Sequence, residues 1–125
     1  MRIIGALAVL MSIPLVNALG CYSYNDYTNI FSVVTGQRVC TAIFEVADRI
    51  ATYGGSDRHP SKIAAISELP AGEDCVHKIV SNDIDKSETE MFLCYCLTSM
   101  CNFPFSYSEF ERRNYTIRPS LLHNK

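Results

Sequence analysis

Six cysteines set the terms on which this chain can fold. They fall at Cys21-x18-Cys40-x34-Cys75-x18-Cys94-x-Cys96-x4-Cys101, with Asn102 directly after the last. An even count in a short chain reads as a disulfide framework, and six cysteines admit fifteen pairings among which sequence alone does not choose. Strand geometry disfavours one of them. Residues two apart on an extended strand point to the same face, and Cys94 and Cys96 lie too close along it to bond each other without strain. They must seek different partners.

The first twenty residues, MRIIGALAVLMSIPLVNALG, carry one positive charge at Arg2, an apolar run from Ile3 to Val16 and then small residues. This is the layout of a cleavable signal peptide. Ser12 and Pro14 interrupt the run, which falls short of the ~20 residues of a spanning helix, so a permanent anchor is the weaker reading. Val16 and Ala18 suit cleavage after Ala18, whereas Ala18 and Gly20 suit cleavage just before Cys21. Leu19-Gly20-Cys21 also looks like the end of a bacterial lipoprotein signal. Lipidating Cys21 would leave five cysteines, and an odd remainder strands a thiol in an oxidising compartment, so pairing is favoured. Removing residues 1–20 from 125 leaves 105, with ten Lys+Arg against thirteen Asp+Glu. A chain of this length holds one domain and buries a small core, the circumstance in which secreted domains carry disulfides. Its weakly acidic balance argues against nucleic acid and anionic membrane surfaces as partners.

Charge divides the chain again at the last cysteine. Residues 21–102 hold six basic and eleven acidic side chains, while 103–125 hold four basic and two acidic. The folded unit is therefore placed at 21–102, with 103–125 as a C-terminal tail, poorly ordered beyond the aromatic stretch Phe103-Pro104-Phe105-Ser106-Tyr107, which is positioned to fold back on the core. Within the unit, branched and aromatic residues predict strands over 27–34, 40–46, 76–80 and 90–97. Turn chemistry bounds them at Thr35-Gly36, Gly54-Gly55-Ser56-Asp57 and Asn82-Asp83. The stretch 44–53 also fits an amphipathic helix, since Phe44, Ala47, Ile50 and Ala51 fall at helical spacing; strand is preferred. Residues 61–69, in the longest cysteine-free span, carry a helix-compatible pattern. No internal repeat is visible.

The closing run Cys94-x-Cys96-x4-Cys101-Asn102, after a finger-sized loop from Cys75, resembles the end of a three-finger domain, the family of snake neurotoxins, the urokinase receptor and the lymphocyte-antigen-6 proteins. The opening Cys21-Tyr22-Ser23-Tyr24 is similar to that family's first strand. The resemblance implies a small disulfide-rich all-β fold with a long second finger, pairs Cys21–Cys40, Cys75–Cys94 and Cys96–Cys101, and a structural role for Asn102, hydrogen-bonding the chain end into the disulfide base. Two features depart from the family pattern. Tyr95 separates cysteines that are usually adjacent, so a bulge is expected there to turn them toward different partners. The disulfide that ties the second finger to the base has no counterpart between Cys40 and Cys75, so that finger is expected to be the loosest part.

Other chemistries fit the residues poorly. Cys94-x-Cys96 with His77 lacks the paired C-x2-C knuckles of a zinc site. Asp83-x-Asp85-x-Ser87 begins like a calcium loop, but Glu88 stands where the turn needs glycine and Cys94 where the bidentate glutamate belongs. His59, His77 and His123 accompany no nucleophile motif, and paired cysteines leave no thiol for covalent chemistry. No metal, cofactor or catalytic residue is expected. Asn114-Tyr115-Thr116 is a glycosylation sequon at Asn114. Arg112-Arg113 is read as a solubilising pair rather than a processing site. The end of the chain, Arg118-Pro119-Ser120-Leu121-Leu122-His123-Asn124-Lys125, lacks the apolar tail of a lipid anchor, so no membrane anchor is expected.

The resulting expectation is a secreted extracellular glycoprotein that binds a protein partner, receptor or ligand, through its finger loops. The candidate surface is the second finger, with Tyr53, Gly55, Asp57, Arg58 and His59 at or beside its tip; Phe44 is more simply core. The alternative is a structural or secretion component without a single receptor.

Overall fold

A computed structural model describes residues 19–119; the leader expected over residues 1–18 lies outside the described residues. The described residues form six strands and two helices: β1 (Leu19–Asn25), β2 (Ile30–Gln37), β3 (Val39–Glu45), β4 (Ile50–Ser56), α1 (Pro60–Ser67), β5 (Cys75–Ser81), β6 (Glu88–Cys96) and α2 (Tyr107–Arg112). All six strands join one antiparallel sheet in the order β2-β1-β4-β3-β6-β5. It is built from three hairpins laid side by side, β1–β2, β3–β4 and β5–β6. Because β1 pairs antiparallel with β4 and β3 with β6, all three hairpin turns emerge at one end.

The three disulfides are Cys21–Cys40, Cys75–Cys94 and Cys96–Cys101. The bulge expected around Tyr95 is absent. The β3–β6 register runs unbroken through Cys40↔Cys96, Thr41↔Tyr95 and Ala42↔Cys94. Cys94 and Cys96 share a face yet reach different partners, because Cys94 bonds sideways to its register partner Cys75 while Cys96 bonds past the strand end to Cys101. Asn102, fully buried, completes the base. Its Oδ1 accepts from Tyr22 N at 2.9 Å, and its Nδ2 donates to Tyr22 O, Thr41 O and Gly54 O at 3.0, 2.9 and 3.0 Å. One amide thus joins β1, β3 and β4 where no ladder bond reaches all three.

The middle hairpin, expected to be the loosest part, is instead the centre of the core, and Cys40 ties it to Cys21 in β1. Val39, Ala42, Phe44, Ala51 and Tyr53 are all buried. Packing and two flanking strands supply what a further crosslink would otherwise provide. The long span from Cys40 to Cys75 accommodates α1, close to the helix expected over 61–69. His59 caps its start, with Nδ1 accepting from Ser61 N at 3.1 Å, Pro60 opens it, and Glu68 ends it in the left-handed region at φ 57°. Ser67 and Tyr95 hydroxyls meet at 2.5 Å and tie this helix to one face of the sheet.

The opposite face carries Tyr24, Ala42, Phe44, Tyr53, Phe92 and Cys94, and here the boundary expected at Asn102 falls inside the fold. The aromatic stretch does fold back, and the order continues well past it. Phe110 is fully buried and stacks on Phe44 with ring centroids 3.8 Å apart; Tyr107 and Ile117 join the same cluster. Two polar devices pin the segment. The Tyr53 hydroxyl donates to Phe105 O at 2.5 Å and accepts from Phe105 N at 2.9 Å. The Asp74 carboxylate accepts from Thr116 Oγ1, Ile117 N and Arg118 N. A disulfide-bonded sheet this small exposes an aromatic face that nothing upstream covers, and the basic composition of residues 103–125 concealed the four apolar residues that do so.

Candidate interaction surface

Each hairpin closes through four residues. Asn25↔Ile30 leaves 26–29, Glu45↔Ile50 leaves 46–49, and the bond from Asn82 N to Ser87 O leaves 83–86. In every case the fourth turn residue is left-handed: Asn29 at φ 58°, Arg49 at 56° and Lys86 at 62°. The outer two turns share more than length. Asn25 Oδ1 accepts from Tyr27 N at 2.7 Å and Asn25 O from Asn29 N at 2.7 Å; Asn82 Oδ1 accepts from Ile84 N at 2.9 Å and Asn82 O from Lys86 N at 2.8 Å. An asparagine side chain that mimics a backbone turn accounts for both. It also explains why β2 begins at Ile30 rather than at the expected Tyr27, since Asn25 diverts residues 26–29 into the turn.

Both outer turns put an apolar residue two places after the asparagine and expose it: Tyr27 at 61% and Ile84 at 93% of full exposure. Ile30 and Phe31 beside the first, and Ile79 and Val80 beside the third, are also exposed. The middle turn, Val46-Ala47-Asp48-Arg49, packs Val46 against the core and exposes Ala47 with the charged pair Asp48 and Arg49. Glu45 and Asp48 are close enough to Tyr27 to help raise its hydroxyl above the ordinary value, after desolvation, the largest cause. Arg49 is engaged from both sides, with Glu111 Oε1 at 2.8 Å and the Tyr107 ring centroid 4.5 Å from its guanidinium carbon. That pairing holds the Glu111 carboxyl below its usual range. In the third turn Asp85 is likewise lowered, chiefly by the backbone N–H of Ser87, so the run that begins like a calcium loop closes on itself.

The residues expected at the tip of the second finger lie elsewhere. Gly54 and Gly55 are in β4, opposite Thr41 and Cys40, at the disulfide end of the sheet. Gly55 is there because a Cβ would come within 2.7 Å of the Gln37 side chain. Asp57, Arg58 and His59 link β4 to α1 at that same end, with Arg58 N donating to Ser56 Oγ and His59 acting as the helix cap. Tyr53 is 3% exposed, and burial pushes its hydroxyl strongly up. The real tip of this hairpin is 46–49. The two glycines misled because they look like a turn, whereas here both lie in β4 and Gly55 sits close against the Gln37 side chain. Asn114 is exposed in the turn after α2, at φ 67°, while the Thr116 hydroxyl of its sequon is bonded to Asp74. His77 pairs with Glu90 across β5–β6 at 2.6 Å.

Sequence reasoning missed Tyr27 and Ile84 as a pair, although a signal was present: Asn25-Asp26-Tyr27 and Asn82-Asp83-Ile84 are the same tripeptide pattern. Among the described residues no helix is long and apolar enough to cross a membrane. The profile of the EGAP4-like C-terminal domain matches residues 20–114, a span that takes in all three hairpins and α2. No curated protein and no solved structure matches the chain.

Proposed function

We propose that this chain, which belongs to the EGAP4-like C-terminal domain family, is a secreted three-finger binding module that engages an extracellular protein partner through its hairpin ends, without catalysis. The observation that carries the reading is the division of the sheet. One end is locked by Cys21–Cys40, Cys96–Cys101 and Asn102, and the other presents Tyr27 and Ile84 on matching turns either side of a charged middle turn. Exposed aromatic and aliphatic residues on a rigid scaffold are the usual anchors of a protein interface. Side-by-side hairpins and the Asn102 clamp support the three-finger kinship, and the pairing of every cysteine supports export. The leader ends at Ala18 in this reading, since Gly20 N donates to Ser99 Oγ and Gly20 O accepts from Met100 N, bonds that cleavage before Cys21 would remove. Asn114 carries the glycan.

The test is secretion of the full chain from eukaryotic cells, followed by mass spectrometry of the mature N-terminus and Asn114. Labelled protein is then bound to extracellular material from the source. Saturable binding that Tyr27→Ser and Ile84→Ser abolish, with the spectroscopic fold unchanged, supports the proposal. Absence of saturation at micromolar concentration favours a structural or secretion component instead.

A further inference from the structure

Beside the first turn, Tyr24 on β1 and Phe31 on β2 are register partners, with ring centroids 6.2 Å apart and planes tilted by 54°. Together with Asp26, Pro104, Phe105 and Ser106 they line a hollow of about 310 Å³. Its carboxylate is fixed: Asp26 Oδ2 accepts from Ala51 N at 2.8 Å and Asp26 N donates to Ala51 O at 3.2 Å. Tyr24 and Asp26 line this hollow together, and desolvation and then the Asp26 carboxylate raise the Tyr24 hydroxyl above its ordinary value. Among the described residues, Asp26 has no ion-pair partner.

The chain uses ring, carboxylate and guanidinium together twice nearby. Arg49 lies 4.5 Å from the Tyr107 centroid and 2.8 Å from Glu111; Arg113 lies 4.4 Å from the Phe105 centroid and 3.0 Å from Glu109. Glu111 balances Arg49, whereas Glu109 is shared by Arg112 and Arg113, so that cluster keeps one positive charge and the fixed Asp26 carboxylate is what favours a further cation in the hollow. Tyr24, Phe31 and Asp26 are a third set of rings and carboxylate, with the cation missing. The quadrupole of an aromatic face and a fixed carboxylate both favour a cation, and an Arg or Lys stem suits the apolar wall of Phe31 and Pro104.

We infer that this hollow receives an arginine or lysine side chain of the partner protein. The inference rests on the proposal that the hairpin ends bind a protein, and it names the chemistry one part of that contact requires. Glu45 and Asp48 at the adjacent turn extend the negative field that would steer such a partner.

The experiment is an NMR titration of the full disulfide-bonded protein with N-acetyl-argininamide, N-acetyl-lysinamide and, as the neutral control, N-acetyl-norleucinamide. The expected result is saturable shifts at Tyr24, Asp26 and Phe31 for the two cations, with the neutral probe weaker by about fivefold or more. Asp26→Asn keeps an oxygen for Ala51 N and should weaken the cations by a similar factor. On the unaltered protein, raising salt from about 20 to about 300 mM should weaken them too, because an exposed pair is screened. Equal binding of the neutral probe, no saturation, or indifference to both salt and Asp26→Asn would overturn the inference. Those failures leave the hairpin-end proposal standing, since Tyr27→Ser and Ile84→Ser test it separately.

Discussion

Asn102→Asp exchanges one NH2 for one oxygen and should come close to unfolding the protein at neutral pH. In the native fold Nδ2 serves three carbonyls at 2.9 to 3.0 Å in a fully buried position. A carboxylate there would point an anionic oxygen at three acceptors, so the new carboxyl must fold protonated. Holding an aspartic acid protonated at pH 7, roughly three units above its ordinary pKa, costs about 4 kcal/mol. Its single O–H then satisfies one carbonyl, and each buried acceptor left unpaired adds about 1 to 3 kcal/mol. With two carbonyls unpaired the total is about 6 to 10 kcal/mol, which rivals the roughly 5 to 15 kcal/mol net stability of a small domain. The sign with pH is set by the same reasoning. The new group's folded pKa is raised above its unfolded value, so the variant keeps its stability below the unfolded pKa of ~4 and loses it as pH rises through and above that value. Urea unfolding of both proteins, disulfides intact, should give a difference of about 6 to 10 kcal/mol at pH 7 that shrinks to about 2 to 6 kcal/mol at pH 4. A difference under 1 kcal/mol at pH 7, or one independent of pH, would refute the clamp.

Phe110→Ala removes a fully buried ring stacked on Phe44 and should cost about 3 to 5 kcal/mol in the same assay; a cost below 1 kcal/mol would return residues 103–119 to the status of a tail. Tyr53→Phe leaves the N–H and carbonyl of Phe105 unpaired and should cost about 2 to 4 kcal/mol at neutral pH. Because burial raises the native Tyr53 hydroxyl, only the unfolded chain ionises it above pH ~10, so the native protein loses stability as pH rises there and its advantage over Tyr53→Phe should narrow. Replacing Cys21 and Cys40 together by Ala should cost more than replacing Cys96 and Cys101, about 3 against about 2 kcal/mol, since the first pair closes a loop of separation 19 and the second of 5. Thermal midpoints in the reverse order would contradict that chain-entropy account.

What could be read from residues alone was whatever rests on local covalent or hydrogen-bonding rules. The even cysteine count, the strands around 40–46, 76–80 and 90–97, and the helix near 61–69 were visible, because β-branched runs and helical spacing act within a few residues of themselves; the pairing of the cysteines rested on the resemblance of the closing motif, since fifteen pairings were open. The repeated Asn-Asp-apolar tripeptide was equally local and was passed over only because Tyr27 reads as strand when its asparagine is ignored. The tertiary structure decided the rest. Gly54 and Gly55 resemble a turn in any sequence window, and only the pairing of β4 with β3 puts them opposite Thr41 and Cys40, with Gly55 against Gln37. Phe105, Tyr107, Phe110 and Ile117 lie among charges in a segment that reads as a tail, and only the uncovered aromatic face of Phe44 and Phe92, with Asp74 waiting for the Thr116 hydroxyl, makes that segment part of the core. Strand runs and asparagine turns are short-range and announce themselves in the chain. A core shared between residue 44 and residue 110 is a property of surfaces brought together, and it exists only once the sheet has formed.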